Sequence, residues 1–203
     1  WRIPSAADLP AIDPGFAAAP RGAELDVPFL PYARDEHGVR PWAVPGTPGL
    51  QHRIGGLEKQ NGTGDVSYEG ENHELMTHLR AAKVAAIEVP DVEVDDEHGD
   101  AALLVLGWGS TEGSIRAGIR RARSGGVSVA RAHLRHLNPL PANLGDVLRS
   151  YAKVLVPEIN TGQLAQVLRA EYLVDVKTLS CVQGRPLYAA EVERRILDEL
   201  GTP

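Results

Sequence analysis

The stretch AALLVLGWGSTEGSIRAGIRRA, residues 101–122, decides how this chain folds. Residues 101–106 form a short, almost wholly apolar run, which is typical of a strand covered on both faces in a parallel sheet. A glycine-containing turn follows, and Ser110 or Thr111 is expected to cap the free amides of the next helix. That helix is predicted over 111–123, because its apolar residues recur on one side with helical spacing.

The same pattern is repeated as far as the C-terminus. Further strands are predicted over 127–134, 153–156 and 174–179, and further helices over 142–150, 162–172 and 187–200. Pro157 is expected to end the third strand, because proline has no N–H for the ladder. Crossovers of this length are right-handed and place helices on both faces of the sheet. The sequence therefore predicts an open, mainly parallel α/β fold.

The N-terminal part has a different composition. Residues 1–50 hold nine of the fifteen prolines, so no regular element longer than a few residues is expected there. Aromatic residues such as Phe29, Tyr32 and Trp42 are scattered through it, which favours a strap lying on another folded surface over a disordered tail. Residues 51–70 are rich in glycine. We therefore predict an irregular strap over 1–70 and an α/β domain over 71–203.

Two segments of this chain resemble metal sites but lack the required spacing. The predicted helix 71–87 carries His73 and His78, which are five residues apart and therefore lie on different sides of it. Its apolar stripe is predicted to consist of Leu75, Leu79, Ala82 and Ala86. The acidic segment 88–100 lacks the spacing of a calcium loop, so a solvated connection is expected.

Composition excludes several classes of function. The net charge of −6 and the pI of about 5.6 argue against a nucleic-acid or acidic-membrane partner. The single cysteine, Cys181, cannot form a disulfide or hold an iron–sulfur cluster. We see no signal peptide and no apolar run of membrane-spanning length, so a cytoplasmic setting is expected. The chain begins at Trp1 in a proline-rich run, and we expect it to be a fragment of a longer polypeptide.

Polar residues follow the predicted strands at the edge where ligands bind in open parallel sheets. The candidate ligand or interface residues are Ser110, Thr111, Glu158, Asn160, Thr161 and Gln163. Because two of these loops lead into helix N-termini, a small-anion or nucleotide-binding module without catalytic activity is one hypothesis. A hydrolase triad of Ser110, His133 and Glu158 is another, but Ser110 lacks the G-x-S-x-G turn. We assign no catalytic residue and no metal ligand.

Five motifs in a fixed order carry a resemblance to a known family. They are GLEKQNGTGDVSYEGENHELMTHLRAAKV, LLVLGWGSTEGSIRAGI, HLRHLNPLP, VLVPEINTGQLAQVLR and VQGRPLYAAEV. As a set they resemble the C-terminal region of the α subunit of 2-oxoacid:ferredoxin oxidoreductases. The likeness covers nearly all of the chain and is closest to the actinobacterial 2-oxoglutarate enzymes, whose γ and α parts are fused.

The resemblance implies an enzyme that uses thiamine diphosphate and Mg²⁺ to decarboxylate a 2-oxoacid. It further implies electron transfer through a [4Fe–4S] cluster to ferredoxin and transfer of the acyl group to coenzyme A. Within a heterotetramer, this chain would be the transketolase C-terminal-like domain that follows a pyrimidine-binding domain. A β subunit would carry the thiamine diphosphate and the cluster, so this chain alone is expected to bind no cofactor and to serve assembly.

Overall fold

The structure is a computed structural model, and it describes residues 3–13, 15–19 and 27–201. The chain divides into two compact units, Trp1–Ile87 and Glu88–Pro203. The sequence-based boundary at residue 70 assigned the first helix to the α/β domain. The structure instead groups that helix with the N-terminal residues.

The N-terminal unit is largely irregular. Its described part has a 3-10 turn at Ala6–Asp8, a parallel bridge between Phe16 and Trp42, and one α-helix, α1, at Gly70–Ala85. A short hairpin with a bridge between Lys59 and Val66 encloses a turn at Asn61 and Gly62. The described part of the proline-rich strap therefore has the irregular backbone that its composition predicts.

The buried face of α1 differs from the prediction. The buried residues of α1 are Asn72 and Met76, whereas Leu75, in the predicted stripe, is 43% exposed. Asn72 is buried because its amide bridges the hairpin: Oδ1 accepts from the Asn61 N–H at 2.9 Å, and Nδ2 donates to the Lys59 carbonyl at 2.9 Å. A polar side chain thus decides which face of this helix is buried, and a hydrophobic pattern cannot predict that.

The C-terminal unit is a five-stranded sheet in the order β1-β3-β2-β4-β5, in which only the β1–β3 pair is antiparallel. Its strands are β1 Val94–Asp95, β2 Leu103–Trp108, β3 Ala130–Leu134, β4 Lys153–Glu158 and β5 Val176–Ser180. Its helices are α2 Glu112–Ser124, α3 Leu144–Arg149, α4 Gln163–Tyr172 and α5 Ala189–Leu200. The predicted mainly parallel α/β class is confirmed.

Helices cover both faces of this sheet. Alternate residues of β2 enter separate cores: Leu103 and Val105 pack with α2 and α5, and Leu104 and Leu106 pack with α3 and α4. All four leucine and valine side chains are fully buried. The apolar run that opens the sequence analysis is therefore the central strand, as predicted. No helix in the described residues combines the length and apolarity needed to cross a membrane.

Pro157 does not end its strand, which corrects the prediction. Strand β4 continues to Glu158, opposite Ser180 of β5. Lys153 donates its N–H to the carbonyl of Ala102, the residue before β2. Alternate residues of a strand face the same neighbouring strand, so the nitrogen of Pro157 also faces β2. Pairing between β2 and β4 ends at Leu155, so no donor is needed at Pro157.

The acidic connection also differs from its prediction, because it contains the edge strand β1. Asp95 of β1 pairs with Arg131 of β3, and its carboxylate lies 3.1 Å from the guanidinium of Arg123 and 3.4 Å from that of Arg131. A two-residue strand has no detectable alternation in sequence. Charged residues on a short edge strand also discourage pairing with other chains.

Candidate functional site

The candidate site lies where β2 and β4 separate. The chain leaves β2 toward β3 on one side of the sheet and leaves β4 toward β5 on the other. In open α/β sheets this reversal opens a crevice at the carboxyl ends of the two strands, where ligands commonly bind. Here the crevice is bordered by the 3-10 turn Gly109–Thr111 and by the loop that joins β4 to α4.

Glu158 lies at the centre of this crevice and is fully buried. Its Oε1 accepts hydrogen bonds from Trp108 Nε1 at 3.2 Å, from Asn160 Nδ2 at 3.1 Å and from the Leu164 N–H at 3.0 Å. Its Oε2 accepts from the Ala165 N–H at 3.2 Å. All four partners are donors, which suits a carboxylate, and two belong to the positive end of α4.

Asn160 completes the N-terminus of α4. Its Oδ1 accepts from the N–H groups of Gly162 at 2.7 Å and Gln163 at 3.0 Å. Together, Asn160 and Glu158 therefore satisfy the amides of four successive residues, 162–165, which are the donors that an anion would use. An external anion would have to displace Glu158, so the geometry does not favour the anion-module hypothesis at this turn.

The side chains of the remaining candidate residues take no part in the hydrogen bonds around Glu158 and the N-terminus of α4. Thr161 and Gln163 expose their side chains, and Gln163 contributes through its backbone. Thr111 is buried, and its hydroxyl donates to the Trp108 carbonyl at 2.7 Å while α2 has no side-chain cap. The predicted capping by Ser110 or Thr111 is therefore wrong, because the 3-10 turn directs the Thr111 hydroxyl back to β2.

The hydrolase triad does not form either. His133 lies on β3 opposite Gly107, and none of the four groups that contact the Glu158 carboxylate belongs to His133 or Ser110. Burial lowers the pKa of His133, so its neutral form is favoured in the fold. Without a base linked to a nucleophile, this constellation offers no acyl-transfer chemistry.

Sequence reasoning missed Trp108. Its indole N–H is the donor that joins the end of β2 to Glu158 across the crevice. The signal was present, because Trp108 directly follows the apolar strand and has a polar tip that needs a partner when partly buried. Its partner, fifty residues later, could not be identified from spacing.

The described part of the chain does not supply the ligands of a metal centre. Within the described residues no group of three His, Cys, Asp or Glu side chains is placed to hold a metal ion. Cys181 is a buried free thiol, and one thiolate cannot hold a [4Fe–4S] cluster. The residues described here therefore do not fit the cluster that the family resemblance implies.

Comparisons with known proteins identify relatives along nearly the whole chain. It is 57% identical over 197 residues to the 2-oxoglutarate oxidoreductase subunit KorA of Mycobacterium tuberculosis, an alignment that covers 97% of this chain and 29% of the relative. It is 34% identical over 200 residues to subunit alpha of 2-oxoacid:ferredoxin oxidoreductase 2 of Aeropyrum pernix, which covers 92% of this chain and 31% of that subunit. This chain belongs to the 2-oxoacid:ferredoxin oxidoreductase α-subunit family.

A solved structure agrees with this membership. The 2-oxoglutarate:ferredoxin oxidoreductase of Magnetococcus marinus, solved with 2-oxoglutarate, coenzyme A and succinyl-CoA bound, matches with a TM-score of 0.81 and 28% identity. The match covers 97% of this chain and 34% of that one. No protein-family model matches. The α-subunit segment described here thus spans about a third of the length of its relatives, and the resemblance predicted from the five motifs is confirmed.

Proposed function

We propose that this chain is the assembly domain of a thiamine diphosphate-dependent enzyme that oxidises 2-oxoglutarate and reduces ferredoxin. The enzyme would release CO₂ and form succinyl-CoA from coenzyme A. The observation that carries the proposal is the 57% identity to a 2-oxoglutarate oxidoreductase subunit over nearly the full chain. The identity to a 2-oxoglutarate enzyme favours that substrate over pyruvate.

In this proposal the cofactors bind elsewhere in the complex. Thiamine diphosphate, Mg²⁺ and the [4Fe–4S] cluster would be held by a β subunit and by the rest of the same polypeptide, because the described residues offer no ligand set for a metal. When bound, thiamine diphosphate would supply the carbanion chemistry of decarboxylation. We further propose a cytoplasmic setting, on the family likeness alone.

The exposed apolar surface supports an assembly role. Of the twenty large hydrophobic side chains that are exposed among the described residues, fourteen lie in the N-terminal unit, which holds fewer than half of the residues. Trp42 is 60% exposed and Phe16 is 51% exposed. This concentration of exposed apolar side chains in one unit supports a contact with another protein surface. We propose that the strap covers the thiamine-binding domains with this surface.

The activity is tested with the full-length subunit co-expressed with its partner subunit. We expect reduction of a viologen dye that depends on both 2-oxoglutarate and coenzyme A, and that is lost when residues 1–203 are removed. Pyruvate serves as the competing substrate. Absence of activity with the cluster and thiamine diphosphate intact would contradict the proposal.

The assembly role needs a separate experiment. Deleting residues 1–50 from the full-length subunit is expected to lower the recovery of the two-subunit complex in size-exclusion chromatography. A matched control deletes an exposed loop of the C-terminal unit, residues 182–184, which carries none of the strap surface. If the complex lacking residues 1–50 is as stable as the complete one, the strap has no assembly role.

A further inference from the structure

A cleft of about 540 Å³ in the N-terminal unit combines cationic and aromatic side chains. It lies between the loop 32–42, the hairpin residues 56–59 and helix α1. Pockets of about 300–1,000 Å³ hold small molecules and cofactors. Five basic side chains line it against one acidic residue, Glu58; the five are Arg34, Arg40, Lys59, Arg80 and Lys83.

Glu58 leaves most of this positive charge uncompensated. Its carboxylate is held by His73 Nδ1 at 2.7 Å and by Arg80 Nη1 at 3.3 Å. Lys59 is only 4% exposed, yet its ammonium donates to the carbonyls of Gly55, at 3.1 Å, and Leu57, and to no carboxylate within the described residues. Five cations and one carboxylate give the cleft a formal charge of +4 in a chain whose total is −6.

Two of the five basic side chains lie near one aromatic ring. The Arg40 guanidinium lies 4.5 Å from the centroid of Tyr32, and that of Arg34 lies 5.8 Å away. Burial lowers the pKa of Arg34, and the nearby charge of Arg40 lowers it further. Arg40 and Lys83 form no ion pair with any residue that the structure describes. Both are thus available to an anion from solution.

The chemistry of the lining selects the kind of anion. Arginine and lysine are the side chains that proteins use for phosphate, and several of them converge here on one cavity. Trp42 borders the same cleft with an indole that is 60% exposed, and an exposed indole face stacks on a nucleobase. We propose that this cleft binds a phosphorylated nucleotide, with its phosphates between Arg40, Lys59 and Lys83 and its base against Trp42.

With a free nucleotide as the ligand, this inference goes beyond the proposed function; with coenzyme A as the ligand, it rests on that function, in which the coenzyme accepts the acyl group. The nucleotide could come from two sources, a free adenine nucleotide or the 3′-phospho-ADP part of coenzyme A. Both offer the same phosphate and base chemistry. The test therefore uses ADP and coenzyme A as separate probes.

The experiment is titration calorimetry on the full-length subunit in complex with its partner, without 2-oxoglutarate. The variant is Arg40→Gln combined with Lys83→Gln; Lys83 is exposed and Arg40 is half-buried, and circular dichroism verifies the fold. We expect the variant to weaken ADP binding about tenfold or more, since it removes two positive charges that would contact the phosphates. The control is Lys177→Gln, an exposed lysine of the C-terminal unit that pairs with Asp175.

The possible results distinguish a free nucleotide, coenzyme A and a cleft that binds neither. ADP binding that is lost in the variant and kept in the control supports the inference for a free nucleotide. A variant effect on coenzyme A alone supports the coenzyme as the source. If neither ligand binds, or if both bind equally to variant and control, the inference is overturned.

Loss of the two-subunit complex in the variant, with no nucleotide bound by the wild type, also overturns the inference and indicates that an acidic protein segment fills the cleft. Viologen reduction is measured separately, so failure of the oxidoreductase proposal is distinguishable.

Discussion

The indole N–H of Trp108 donates to the carboxylate of Glu158 at 3.2 Å and joins the ends of two adjacent strands. The same carboxylate accepts from the first amides of α4. Glu158 therefore occupies the place at the sheet reversal where a ligand anion binds in many open α/β domains. The domain supplies its own anion there, which agrees with a role in assembly.

Removing this carboxylate should loosen α4. Glu158→Ala leaves buried donors without acceptors, and we expect the local opening free energy to fall by about 2–3 kcal/mol. Hydrogen exchange of the amides at residues 162–165 in the full-length subunit measures the effect. Glu171→Ala, which removes an exposed carboxylate from the same helix, is the control. Equal exchange in both variants would contradict the role of Glu158.

Two glycines of α2 should respond in opposite directions to the same substitution. At Gly118 an added Cβ would lie 2.7 Å from Cβ of Val192 and 2.9 Å from the Ala189 carbonyl. Gly118→Ala must therefore push α5 away, and we expect it to lower the free energy of unfolding by about 1–3 kcal/mol. At Gly113 an added Cβ would meet nothing within 4 Å, so Gly113→Ala should stabilise α2 by about 0.5 kcal/mol. Amide exchange across α2 and α5 measures both. A tolerated Gly118→Ala would contradict the close packing of these helices.

The first turn of α5 should weaken in acid. Hydrogen bonds from the Arg185 guanidinium, at 2.6 and 3.0 Å, and from the Tyr188 N–H hold the pKa of Glu191 at about 2, below its ordinary 4.5. Because the folded value is the lower one, this stabilisation is complete above pH 4.5 and is lost as the pH falls toward 2.

The variant Arg185→Gln should remove most of that acid dependence. Urea unfolding between pH 2 and pH 6 is the measurement, and Arg120→Gln, an exposed arginine of α2, is the control. If Arg185→Gln and the control lose stability over the same pH range, the ion pair does not set the acid response.

His133 should add a second acid-sensitive step at higher pH. Burial lowers its pKa below the ordinary 6.5, so the folded state favours the neutral ring. The free energy of unfolding should therefore fall as the pH drops below 6.5. His133→Gln should therefore flatten the stability profile between pH 7.5 and pH 5.5. His136→Gln changes an exposed histidine nearby and should leave the profile unchanged. An unaltered slope in His133→Gln would exclude this histidine as the cause.

The sequence predicts the elements of the sheet better than their ends. The four parallel strands and the helices between them follow from apolar runs and helical spacing, which are local signals. Strand β1 escapes detection because it is two residues long and acidic, and its pairing with β3 is a contact between distant residues. The prediction at Pro157 was wrong because a proline ends a strand only where a neighbouring strand needs its N–H. The sequence does not show where β2 diverges from β4.

The candidate site was predicted only as a group of loops. Spacing placed Glu158 and Asn160 before α4, and in the structure both side chains contact its first amides. It could not predict that Glu158 is buried or that Trp108 is its partner, since these depend on the order of strands in the sheet. The capping role expected for Thr111 failed because an intervening 3-10 turn reverses its hydroxyl.

The sequence by itself determined the α/β class, the irregular strap and the family, because apolar periodicity, proline content and ordered motifs are local properties of the chain. Only the tertiary structure decided that the α4 N-terminus holds Glu158 in place of a ligand, and that basic residues from a loop, a hairpin and a helix line one cleft. The first outcome depends on the burial of Glu158 and on Trp108, fifty residues earlier, and the second depends on charges that are far apart in sequence. Their interaction depends on distance and burial, which exist only once the chain has folded.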